Sequence, residues 1–197
     1  MIYDISQPVF ECAIYPGDPQ PEKQALCRME RGDLYNLTAF SVCAHNGTHI
    51  DAPFHFFRDG KAVDEISLEK MIGAAFVCTH SGDVTAADAE KILTRARNAD
   101  PEAARRILLR GDATVTEAAA GIFADAGIDL LGNEAQSVGP MDAPMAVHQR
   151  LLAKEVVLLE GIRLKGVPDG VYFLNCAPLN LTGADGAPCR AVLTELR

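Results

Sequence analysis

"RRILLRGDATVTEAAAGIFADAGIDLLG", residues 105–132, decides the fold class. The run Ile107-Leu108-Leu109 is apolar at consecutive positions, as a strand covered on both faces requires. Thr116 then opens "TEAAAGIFADAG", an alanine-rich stretch with the composition of a helix, and Gly127 stops it. "IDLLG" returns to a short apolar run. The segment therefore reads as buried strand, capped helix, buried strand.

The alternation continues on both sides. Upstream, a helix is predicted over 86–97. Thr85 caps it, Asp88 three residues on completes a weak capping box, and Ala89, Ile92, Leu93 and Ala96 share one face. Downstream, "APMAVHQRLLAKEVVLLEG" reads as a helix to about Ala153 and a strand over 155–160. "GVYFLNCAPLNL" and "CRAVLTEL" add strands. The opening third is different: "MIYDIS" and "LTAFSVCAH" are β-prone, the second ending near Ala44, and "YPGDPQPE" is a Pro/Gly loop. The class is α/β with a mixed sheet. Without repeats or linkers, the chain reads as a single domain over 1–197. "RGD" at Arg110–Asp112 follows a buried-strand pattern and reads as a turn.

Composition narrows the functions. Of the 197 residues, 48% are hydrophobic and 23% charged, close to the globular norm. The net charge of −9 and the scattered Lys and Arg speak against nucleic acid as a partner. No apolar run is long enough for a membrane span. The first residues lack a basic start and a long apolar stretch, so a cytoplasmic location is expected. The six cysteines form no CxxC pair and are expected to be buried, reduced thiols.

The chemistry gathers in "HNGTHIDAPFHF", residues 45–56, which holds three of the five histidines. His45, His49, Asp51 and His55 fall on odd positions and would share one face of a strand. A straight strand would separate His45 from His49 by roughly 13 Å, too far for one metal ion with bonds of about 2.0–2.1 Å. The chain must bend, and Gly47 is the residue best able to allow it. An irregular segment carrying metal ligands His45, His49 and Asp51 is the expectation. His55 reads equally as ligand, acid/base group or bystander. Of the remaining histidines, His80 stands alone. His148 shares the inward helix face of Leu151 and Leu152. Glu160 ends a buried strand, where an acid needs a cation or a good donor beside it.

"HNGTHIDAPFH" fits the HxGTHxDxPxH signature of the cyclase superfamily of metal-dependent hydrolases, which includes kynurenine formamidases and isatin hydrolases. "YDIS…IYPGDPQP", "GNEAQSVGPMDAPMAVHQRLLAKEVVLLEGI" and "APLNLTGADGAPCRAVL" are similar to other parts of that family. The resemblance implies a swivelling β/β/α fold and a homodimer or homotetramer. It implies a site for two divalent ions, zinc or manganese. His45, His49 and Asp51 would hold one ion, and Asp51, His148 and Glu160 the other, with Asp51 and Glu160 bridging. His55 would be the catalytic acid/base. Tyr15 would line the substrate pocket, where formamidases typically carry a tryptophan, a residue type this chain lacks.

The implied activity is hydrolysis of a formamide or lactam in a small aromatic substrate, with His55 moving the proton. Phe10, Tyr15, Phe54, Phe56 and Phe57 are candidates for aromatic pocket walls. Three rivals stand beside this reading. One is a lactone hydrolase or cyclase of the same family. Another is an Fe(II) oxygenase using His49, Asp51 and His148, which leaves His45, His55 and Glu160 without a task. The last is a non-catalytic metal-binding module.

Overall fold

A computed structural model describes residues 1–196. In chain order its strands and helices are β1 (Ile2–Asp4), β2 (Glu22–Cys27), β3 (Leu37–Ser41), β4 (His49–Asp51), β5 (Ile72–Thr79), β6 (Gly82–Val84), α1 (Ala86–Ala99), β7 (Arg106–Arg110) and β8 (Ala113–Val115). There follow α2 (Glu117–Asp125), β9 (Leu130–Asn133), α3 (Met145–Leu152), β10 (Val157–Glu160), β11 (Gly170–Asn175), β12 (Gly186–Pro188) and β13 (Val192–Glu195).

Nine strands form one mixed sheet in the order β1-β13-β11-β5-β7-β9-β10-β4-β12. The four central strands β5, β7, β9 and β10 run parallel. Every flanking pair is antiparallel. β2 and β3 pair as a separate ribbon, and β6 and β8 as another.

Period-two alternation divides the core. Phe76, Cys78, Ile107, Leu109, Leu131 and Leu158 point to one face, where Ile92 and Leu93 of α1, Phe123 of α2 and Leu151 of α3 cover them. Val77, Leu108, Leu130 and Leu159 point to the other. There they meet Ile50 and Ala187 from one end of the sheet and Leu174 and Leu193 from the other end. Both ends feed one cluster, so the sheet curls around it, and the three helices lie outside.

The helix signals hold. Thr85 Oγ1 accepts from Asp88 N and the Asp88 carboxylate accepts from Thr85 N, so the capping box is complete. α1 runs two residues past the expected Arg97, and Ala89, Ile92, Leu93 and Ala96 are all buried. Thr116 caps α2 through Ala119 N, and Gly127 takes φ +69° just beyond it.

Several expectations need correction. The strand expected to reach Ala44 stops at Ser41. The strand expected from Glu155 begins at Val157, because Glu155 is left-handed at φ +55°. Residues 49–51 form a short strand rather than wholly irregular chain, although Gly47 does bend at φ +66°. The cysteines are free, but only Cys78 and Cys176 are buried. Among the described residues no helix is long and apolar enough to cross a membrane.

Candidate metal centre

β4 carries His49, Ile50 and Asp51 between β10 and β12, with His49 opposite Glu160 and Asp51 opposite Leu158. All three residues of β4 are buried. Ile50 points into the core inside the sheet curl, which turns His49 and Asp51 to the opposite side. A 3-10 turn over Pro53–His55 follows and returns His55 toward the cluster. On the N-terminal side the Gly47 bend swings His45 back, so its ring centroid lies 5.1 Å from that of His49 and 4.1 Å from that of His55. A Cβ at position 47 would meet Cys12 Cβ at 2.7 Å, so glycine is required there twice over.

Asp51 is the centre. Its Oδ1 lies 2.9 Å from His45 Nδ1 and 3.3 Å from His49 Nε2. Its Oδ2 lies 3.5 Å from His148 Nε2, and this oxygen is buried without any hydrogen bond. Glu160 mirrors that split: Oε1 is 3.1 Å from His148 Nε2, and Oε2 is 3.5 Å from His49 Nε2. One oxygen of each carboxylate thus faces His49 and the other faces His148.

The donor atoms fit a divalent cation. Bonds of about 2.0–2.1 Å in a tetrahedral shell imply ligand–ligand edges of roughly 3.3–3.4 Å, close to the 3.3 and 3.5 Å contacts of His49. An unpartnered buried carboxylate oxygen is the costly group that a cation would satisfy. Among the described residues there are two compact donor groups, His45/Asp51/His55 and His49/Asp51/Glu160, and Asp51 belongs to both.

Backbone carbonyls orient the imidazoles. His49 Nδ1 donates to Gly47 O and His148 Nδ1 donates to Pro144 O, both at 2.9 Å. Each ring therefore presents Nε2 to the cluster, the arrangement that outer-shell partners give metal-binding histidines. Gln136 Nε2 also donates to Gly47 O, at 2.8 Å. Glu160 Oε1 accepts from Val138 N at 2.7 Å.

Without a metal the cluster is a set of coupled ion pairs. Burial disfavours the charged His45 ring, but Asp185 and Asp51 outweigh it and raise its pKa to about 11. His49, also penalised by burial, is raised to about 9 by Asp51 and Glu160. Burial and Glu160 oppose each other at His148, and the result is a rise. Asp51 is held well below the usual carboxylate range despite complete burial, because His45 and His49 donate to it.

The cluster opens into a cavity of about 210 Å³ whose walls include Tyr15, Asp18, Phe56, Gln136, Ser137 and Pro144. The hydroxyl of Tyr15 donates to Met141 O at 2.8 Å, across from the imidazoles. Of the candidate aromatic walls, Tyr15 and Phe56 line this cavity. Phe57 packs against the helical core, Phe10 meets Phe40 edge to face, and Phe54 is exposed. His80 stays outside, near Asp83. A larger groove of about 530 Å³ beside Arg190 has no imidazole, and its one carboxylate, Asp4, is already paired with Arg190.

Sequence reasoning missed Asp185. It sits just before β12 and touches His45 Nε2 at 2.8 Å and His55 Nδ1 at 3.2 Å. Those two bonds hold its carboxyl below the usual range. An acid between small residues in "GADG" looks like an ordinary turn, and its partners are remote in sequence.

Fold and cluster together define an α/β protein built to hold a divalent metal on buried side chains beside a small, partly open pocket. The family model for a putative cyclase matches residues 3–140. The kynurenine formamidase of Salinibacter ruber is 33% identical over 211 residues, covering 98% of this chain and 97% of that protein. The kynurenine formamidase of Erythrobacter litoralis is 33% identical, covering 99% and 94%. A solved structure described as a potential metal-dependent hydrolase with cyclase activity has a TM-score of 0.80 at 27% identity, covering 98% of this chain and 96% of its own. An isatin hydrolase bound to the product analogue thioisatinate shares the fold, with a TM-score of 0.83 at 17% identity over 100% and 92%. The chain belongs to the cyclase family.

Proposed function

We infer that this chain is a metal-dependent hydrolase that cleaves an amide-type C–N bond, a formamide or lactam, in a small aromatic substrate. The observation that carries the reading is Asp51, a buried carboxylate common to two donor groups in the lining of a small, partly open pocket. Whole-length similarity to kynurenine formamidases supports the bond type.

His45, His49, Asp51, His148 and Glu160 would hold the metal. Two ions sharing Asp51 and Glu160 agree with the way each carboxylate divides its oxygens between His49 and His148. Zinc and manganese both suit imidazole and carboxylate donors. When bound, the cation polarises a carbonyl and brings the pKa of a water near neutrality.

His55 would take the proton from the attacking water and return it to the departing nitrogen. Tyr15 and Phe56 would flank an aromatic ring. We further infer a single domain over 1–197, a cytoplasmic enzyme and a homodimer or homotetramer. The exposed Leu34, Tyr35 and Phe40 around the β2–β3 ribbon support a contact between copies.

The test is a hydrolysis screen of N-formylkynurenine, isatin and simple lactones, with the chelated protein reloaded with zinc or with manganese. Metal-dependent cleavage of an amide is expected. Turnover of lactones alone would favour the lactone-hydrolase reading. Bound iron with oxygen consumption would favour an oxygenase, and full metal without any turnover a binding module.

A further inference from the structure

Asp185 stands outside the donor set yet touches two of the imidazoles that matter most. Its Oδ2 accepts from His45 Nε2 at 2.8 Å and from His55 Nδ1 at 3.2 Å. The backbone fixes it in place. Ala52 N donates to Asp185 O at 2.9 Å, and Val63 N donates to Ala184 O at 2.9 Å. Gly186, next in the chain, pairs with Asp51 in the β4–β12 register. A Cβ at Gly186 would lie 2.8 Å from His45 Cε1 and 2.6 Å from Ile50 O, so glycine there lets the ring approach the carboxylate.

Each of these bonds selects a tautomer. A neutral imidazole carries one N–H, and an ionised carboxylate can only accept. Binding Nδ1–H of His55 leaves the Nε2 lone pair free to act as a base, and His55 lines the cavity. On His45 both nitrogens donate while no metal is bound, Nδ1 to Asp51 Oδ1 at 2.9 Å and Nε2 to Asp185; Asp185 holding Nε2–H would leave Nδ1 as the nitrogen that gives up its proton to a metal.

We propose that Asp185 is a positioning residue that sets the ring orientation and tautomer of His45 and His55 together. One acid then aligns a metal ligand and the proton-transfer group at once. The catalytic consequence rests on the hydrolase reading, whereas the tautomer does not.

The test uses the full chain loaded with zinc and labelled with ¹⁵N-histidine. Two-bond ¹H–¹⁵N correlation spectra are recorded on the alkaline side of the ordinary imidazole range, with His55→Gln for assignment. His55 is expected as the Nδ1–H tautomer in the wild type, and that signature is expected to be lost in Asp185→Ala. If Asp185→Ala does not fold, Asp185→Asn serves: it keeps the shape, and its amide can accept or donate, so the single tautomer gives way to a mixture. In the kinetic arm kcat is expected to fall about 10–100-fold, the usual cost of an outer-shell partner. KM should stay within about twofold, as for an interaction made in the transition state alone. The same His55 tautomer in both proteins, an Nε2–H tautomer in the wild type, or an unchanged kcat would overturn the proposal. A wild type that hydrolyses nothing while the tautomer shifts as expected would sink the hydrolase reading and leave the positioning role standing.

Discussion

His148 Nε2, on α3, lies 3.1 Å from Glu160 Oε1 at the end of β10. Helix and strand meet through Val147, Leu151, Leu152 and Leu158 in the core, so the pair is held by packing that does not depend on its charge. Glu160→Gln is therefore expected to fold, with Val138 N still bonded to the amide oxygen. Its metal affinity should drop by more than the about 10–100-fold cost of losing an outer-shell partner. Metal content by mass spectrometry after dialysis decides it, and full retention would remove Glu160 from the ligand set.

His55→Ala should lower kcat by about 10²–10⁴-fold, the range of general acid–base catalysis, with metal content unchanged. The geometry makes this a sharp test, because His55 also belongs to a compact donor group with His45 and Asp51. Loss of one ion from the variant would make His55 a ligand.

Acidity should act oppositely on the metal-free and metal-bound forms. In the metal-free protein the His49 pKa is raised from 6.5 to about 9, its partners Asp51 and Glu160 outweighing burial. The folded state holds that proton more tightly than the unfolded state does. Its contribution to stability is therefore complete below about pH 6.5 and lost as pH rises through about 9. Metal requires the neutral ring, so its binding strengthens over the same window. The Tm of chelated protein should fall across this range while its gap to the loaded protein widens. Calorimetric titration near neutral pH, in buffers of different ionisation enthalpy, should show proton release. Metal uptake without proton release would contradict the protonated cluster.

Gly47→Ala combines a left-handed backbone with a 2.7 Å approach to Cys12 Cβ. The backbone alone costs roughly 1–2 kcal/mol, and the clash adds to it. Because Gly47 O receives both His49 Nδ1 and Gln136 Nε2, the variant should lose metal affinity as well as stability. Denaturant melts with and without metal measure both, and an affinity equal to wild type would show that the carbonyl does not orient His49.

What could be read beforehand was local. The face of α1, its Thr85–Asp88 box and the Thr116 cap depend on neighbours within a few turns, and the structure reproduces them. The bend at Gly47 followed from the distance a straight strand would impose on His45 and His49. The place of β4 between β10 and β12 could not be read, because three residues carry no pairing signal of their own. β2 escaped for a related reason: "EKQALC" is mostly exposed and lacks an apolar face. Asp185 was hidden because its role comes from side chains 130 and 140 positions away.

The pairing of β4 also constrains how the protein comes into being. His49 and Asp51 lie early in the chain, yet the strand that holds them has neighbours only at Val157–Glu160 and Gly186–Pro188. Pairings this far apart in sequence carry a loop-closure cost and slow folding. Until those two distant segments dock, β4 has no partner on either edge. The centre is therefore assembled from segments remote in sequence, and a fragment lacking 157–188 would carry the signature residues without the strands that hold β4.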